Sequence, residues 1–372
     1  MKPKAFSATS LESLETGILE YKNQGHLATL AIVFCAINFN IEEIRQTFRN
    51  HDIDVFGASS AGEITNGNIS QHSISVLLLD IDPDSYRTGI FDRLGKSSFD
   101  AGKEAGNWAC QVFEDPAMLV TSSGFDADGD EIVSGIKSGA DGQFPVFGGC
   151  AGNDLQPIHD TLAFGSRETV THGIASIAFD QKKIRLAGLT LCGWKGVGTS
   201  KVITKSSGNV VYQIDNRPAL EFYRKYLNVN NNEDISRSNE TGLLVERPDG
   251  SSVMRAAIVI NTDDSVAYAG SMPEGAKIRF CTSPGLEVTW QTIDQLKKFY
   301  KDNPEADAAI LFSCISRLQV MGPMIDEETQ AIAGIWKVPY NGFFTFGEIG
   351  PGNTGMCDFH NFSLSLVLLK EK

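Results

Sequence analysis

Long apolar runs are missing from these 372 residues. The longest, at 30–37 and 366–369, fall far short of the roughly 18 residues that a membrane-spanning helix needs, so none is expected. Positive charge is scarce: 32 Lys and Arg against 46 Asp and Glu leave a net charge of −14, which disfavours nucleic acid and anionic lipid as partners. Paired cysteines are missing as well. The seven cysteines, at 35, 110, 150, 192, 281, 314 and 357, stand singly without a Cys-x-x-Cys, which argues against a disulfide framework or a zinc knuckle. Two lysines near the N-terminus are followed by no apolar stretch, so no export signal is read and the cytoplasm is the expected compartment.

Glycine, by contrast, is plentiful. The chain carries 36, above the roughly 7% that is usual, and the surplus falls at the ends of expected strands. The length fits two or three packed units, and one pattern recurs along it. Leu30 to Cys35 is an apolar run of strand length, Ile41 to Phe48 has helical spacing, Asp54 to Phe56 is a second strand, and the chain then breaks at Gly57-Ala-Ser-Ser-Ala-Gly-Glu63-Ile64. The same order returns from Ala309, ending in Gly342-Phe-Phe-Thr-Phe-Gly-Glu348-Ile349. A weaker copy runs from Met118 to Phe179 and breaks at Gly148-Gly-Cys150-Ala-Gly-Asn-Asp154, with Asn-Asp in place of Glu-Ile. Each copy is preceded by a further strand and helix. The pattern predicts three degenerate β-α-β-α-β-β units over about 2–80, 85–180 and 275–370, with Lys277 to Phe280 opening the third.

These residues resemble the FIST family, which pairs N- and C-terminal sensory domains. The resemblance rests on Gly57 to Ile64 and Pro145 to Asp154, then on Phe312-Ser-Cys-Ile-Ser-Arg317, Gly342 to Gly350 and Phe359-His360-Asn361, in that order over most of the chain. It implies a mixed α/β protein of two domains, 1–217 and 218–372, with mixed β-sheets covered by helices. It further implies a cytoplasmic sensor of a small ligand such as an amino acid, or in some members a haem-binding nitric-oxide sensor. Output is expected through a separate signalling protein such as a histidine kinase or a diguanylate cyclase, since no such segment is read in this sequence.

Strand ends built of Gly, Ser and Ala leave backbone N–H groups free to cradle a small anion. Ser59, Ser60, Ser122 and Ser123 add short donors there, with Cys150 and Asp154 in the middle loop. Glu63 and Glu348 suit a cationic amine and Arg317 suits a carboxylate, so together they would hold a zwitterion. Each has a plainer reading: a glycine supplies a turn, and a Glu after it caps a helix or pairs with an Arg. Cys314, beside Arg317, is read as a thiol of lowered pKa or as a small core residue. His360 is the candidate axial ligand if haem binds, and no metal site is otherwise read.

Enzyme readings fare less well. Neither Ser59 nor Ser60 has the Gly-x-Ser-x-Gly spacing of a nucleophile elbow. The run Asp126-Ala-Asp-Gly-Asp-Glu131 lacks the glycine and final Glu of a calcium loop, and is better read as a helix N-cap. The rivals to a sensor are a ligand-free interaction module and an enzyme using Cys314 or Glu348.

Overall fold

The computed structural model describes residues 1–140, 144–154, 160–237, 241–247, 250–283, 285–352 and 355–372. Three units of one design make up most of it. In the first, Lys2–Ala8, Ile74–Asp80, Leu30–Ala36 and Asp54–Ser60 lie side by side in that order. The last two run parallel, joined by the helix Ile41–Arg49, and the other neighbours are antiparallel. The second unit repeats this with Tyr86–Asp92, Gly173–Asp180, Pro116–Ser123 and Val146–Cys150, and the third with Ile184–Leu191, Leu364–Glu371, Ala308–Cys314 and Tyr340–Thr345.

The Leu30–Ala36 run is apolar throughout because both of its faces are covered. Leu30, Ile32 and Phe34 face a shared centre, while Ala31, Val33 and Cys35 face the unit's own helices. All three sheets turn their inner faces to that centre, where Phe34 stacks on Phe343 at 4.3 Å and both meet the edge of Phe312. Helices form the outer layer. Their starts are fixed by side chains: Asn40 accepts from the Glu42 amide, and Asp128 accepts from the amides of Asp130 and Glu131 at 2.9 and 3.2 Å. The acidic run around Asp128 is thus a helix cap. Its carboxylates diverge, Asp126 going to Arg93 and Asp130 to Arg255, as a calcium loop would not allow.

The third unit departs from the expectation. Lys277–Thr282 does not open it; that strand pairs with Lys195–Ser207 and Leu243–Glu246 in a separate β-layer. The opening strand is Ile184–Leu191, paired along its whole length with Leu364–Glu371. A domain spanning 195–282 is therefore inserted between that strand and the helix Leu286–Asp302. It has its own core around Tyr223, Tyr268 and Ile278.

The three units also exchange hairpins. Glu63–Ser70 pairs with Tyr340–Thr345 of the third unit, Ala163–Val170 with Asp54–Ser60 of the first, and Glu348–Pro351, itself paired with Cys357–His360, with Val146–Cys150 of the second. Each unit lends one hairpin and receives one, so the ring closes.

Candidate functional site

Strand register aligns the three glycine loops. Ser60 lies opposite Ala36, Thr345 opposite Cys314 and Cys150 opposite Ser122, which makes Ser60, Thr345 and Cys150 equivalent. Three residues on from each stand Glu63, Glu348 and Asn153, all buried. The two carboxylates sit in matching cradles. Glu63 accepts from the Ser60 hydroxyl and from the amide and hydroxyl of Ser73; Glu348 accepts from Thr345 and from the amide and hydroxyl of Ser363. Burial raises the pKa of both, that of Glu348 to about 8. Neither is offered to a ligand amine, since its oxygens are already engaged.

Arg317 was expected to grip a ligand carboxylate and does not. It lies fully buried on the helix Ile315–Met321, paired with the equally buried Glu328. Its remaining donors go to the Cys192 carbonyl at 2.7 Å, the Phe362 carbonyl at 3.2 Å and Thr292, and the guanidinium lies 5.3 Å from the Trp194 ring. With Arg317, Glu63 and Glu348 all engaged, the zwitterion reading loses its anchoring charges.

Ser59 donates to the Gly152 carbonyl and accepts from the Leu162 amide, tying the first unit to the second. Ser123 donates to the Val170 carbonyl, and Asp154 lies 3.5 Å from His72. These are structural contacts.

Ser122, Cys150 and Cys314 do come together. They line a cavity of about 280 Å³ where the second unit, the third unit and the inserted domain meet. Ser122 donates to the Cys150 sulfur at 3.2 Å. Burial pushes the Cys150 thiol up to about 12, and burial with Glu348 nearby pushes Cys314 up as well. The expectation of a lowered pKa at Cys314 is therefore reversed: desolvation dominates, and the neighbouring charge that acts on the thiol is the carboxylate of Glu348.

His360 is also placed differently from its expected role. It does not line this cavity; its Nε2 sits 3.3 Å from the Gly350 carbonyl, and burial lowers its pKa to about 4. A cavity of 280 Å³ lies at the lower edge of small-ligand pockets. The residues present do not fit a haem there.

The neighbouring Asn361 is the residue that the sequence reading passed over. It lines the cavity at 2% exposure, and neither Oδ1 nor Nδ2 of its amide has a hydrogen-bond partner. The segment carrying it is held on both sides. Asp358 pairs with Arg247, the Phe359 carbonyl accepts from Arg255, the Phe362 carbonyl accepts from Arg317, and Ser363 is bound by Glu348. Phe362 itself is held at φ 60°, a left-handed conformation that costs a bulky residue about 1–3 kcal/mol. Gly347 of the Gly-Glu-Ile motif is explained here too. A Cβ at that position would lie 2.4 Å from the Phe359 ring and 3.2 Å from the Asn361 amide. Arg317 and Glu348 thus position the segment rather than touch the cavity. The signal for Asn361 was present in Phe359-His360-Asn361, but a titratable neighbour drew the attention.

The chain matches the family model of the FIST N domain over residues 29–217 and that of the FIST C domain over 219–351, and it belongs to the FIST family. FIST domains are sensory domains. No curated protein matches it significantly. Among solved structures, one similar chain is the cyanuric acid hydrolase from A. caulinodans, at 9% identity and a TM-score of 0.36, with 98% of this chain and 99% of that chain covered. No helix among the described residues is long and apolar enough to cross a membrane.

Proposed function

We propose that this FIST protein is a sensor whose small ligand occupies the cavity between the second unit, the third unit and the inserted domain. One observation carries the reading: a buried side-chain amide with both polar atoms unpaired lines that cavity, on a segment held by two buried arginines. An unsatisfied buried polar group costs about 1–3 kcal/mol, so a ligand that pairs with it recovers free energy that the unliganded protein forgoes. Binding is favoured over catalysis because the thiols at the cavity, Cys150 and Cys314, are held protonated. The inserted domain supplies part of the cavity wall through Ala256, Ile258 and Tyr268, so occupancy is felt by that domain. The signal then passes by contact to a separate signalling protein, a histidine kinase or a diguanylate cyclase being the classes that the family resemblance suggests.

A thermal-shift screen of small metabolites against the wild type and Asn361→Leu tests this. A ligand at a hundredfold excess over its Kd adds about 2.7 kcal/mol of stability, and at the same concentration the variant should show about half of that shift or less. A screen in which no compound stabilises the wild type removes the reading.

A further inference from the structure

The chemistry of the cavity restricts what it can hold, given that it is a ligand site as proposed above. Among the described lining residues the one charged side chain is Asp126, and Arg93 already pairs with it. Two other buried arginines are committed to carboxylates: Arg255 makes a two-oxygen contact with Asp130 at 2.8 and 2.6 Å, and Arg317 is bound to Glu328. A carboxylate or phosphate entering here would lose its hydration and meet an acidic neighbour, with no cation among the described lining residues to compensate. Anions and ordinary amino acids are therefore poor occupants.

Asn361 asks for something else. A side-chain amide offers an N–H donor and a carbonyl acceptor next to each other, and both are unmet. The complement is a group with an acceptor and a donor on one edge, which closes two hydrogen bonds at once, as an asparagine does with the edge of adenine. Lactams, primary amides and ureides present such an edge. The apolar walls suit a flat body: Phe359 lines the cavity beside Asn361, and Phe346 stacks with Phe125 at 5.9 Å along the same wall. With about 280 Å³ available, the occupant is compact. Ser122 keeps lone pairs free after donating to Cys150, and provides a further acceptor.

We infer that the ligand is a small, planar, uncharged molecule carrying a cis-amide-type edge, and that Asn361 is its specificity-determining contact.

Paired probes test this by isothermal titration of the full-length protein. Hydantoin and nicotinamide carry the edge; nicotinate is the carboxylate counterpart of nicotinamide, and phenylalanine is a flat-bodied amino acid. The expected result is binding of hydantoin or nicotinamide with at least a ~10-fold preference over both carboxylates, matching one well-paired edge contact. Asn361→Leu should lower that affinity ~10-fold or more. Asn361→Ala, which removes both the donor and the acceptor without adding bulk, should do the same and serves if the leucine variant does not fold. Tighter binding of nicotinate or phenylalanine would overturn the inference and leave the proposed sensor intact. Equal binding of hydantoin or nicotinamide by wild type and both variants would likewise overturn it. If neither these probes nor any compound in the broader screen binds, the sensor reading falls and the inference with it.

Discussion

Glu348 ties the stability of the fold to pH. Its pKa, raised to about 8 mainly by burial, stands above the usual carboxylate value of about 4.3, so the folded state holds a proton that the unfolded chain releases. The stability this contributes is complete below about pH 4 and is lost as the pH rises through 8. Wild type should therefore lose several kcal/mol of stability between pH 5 and pH 8.5 in urea titrations, and Glu348→Gln should flatten that dependence. A variant with an unchanged slope would contradict the assignment. Arg317 makes a second prediction. Arg317→Met alone leaves Glu328 buried and unpaired and should cost about 3–5 kcal/mol, whereas Arg317→Met with Glu328→Met together should recover much of it, as double-variant unfolding curves would read. At this scale the sequence was partly legible. Ser122, Cys150 and Cys314 stood out because they end strands, and they do line the cavity. Arg317 and Glu348 were noticed as charges, but whether a charge faces a ligand or a buried partner depends on residues such as Glu328 and Ser363, which no local spacing reveals.

The helices Ser98–Val112 and Gly129–Gly139 pack backbone to backbone through glycines. A Cβ added at Gly102 or Gly106 would lie 2.3 Å from the carbonyl of Ile132 or Ile136, and one at Gly135 or Gly139 would lie 2.1 Å from that of Phe99 or Lys103. Gly106→Ala should therefore destabilise the protein by about 1–3 kcal/mol despite alanine's better helix propensity, because the backbones must move apart. A stabilised variant in chemical denaturation would show that the helices are not in contact at this position. The repeat itself was legible because strand, helix and glycine break follow one another within each unit. The hairpin exchange was not. Glu63–Thr65 and Glu348–Pro351 have strand character, yet their pairing partners lie hundreds of residues away. The opening strand of the third unit was missed for a related reason: an inserted domain separates Ile184–Leu191 from the helix it should precede, and Lys277–Thr282 stood in the expected place.

For the whole molecule, the joint between the inserted domain and the ring is the feature with most consequence. Arg255, fully buried, binds Asp130 of the second unit, and Arg247 bridges Asp130 and Asp358 of the exchanged hairpin. Met254 and Cys281 pack into the core of the third unit beside Phe362 and Leu364. The cavity is bordered by the same bodies, so a ligand bound there as proposed would couple to domain attachment. Asp130→Asn should weaken the clamp, so that amides within 195–282 exchange with solvent faster than in wild type, and a stabilising ligand should reduce the difference. Identical exchange in the two proteins would show that this joint does not hold the inserted domain. A crystal structure grown with the most stabilising compound of the screen shows whether a small ligand sits against Asn361. Ligand density is expected in the cavity, with a donor and an acceptor each about 3 Å from the Asn361 amide. Density for the compound at another site, with Asn361 paired to protein groups or to water alone, would contradict it.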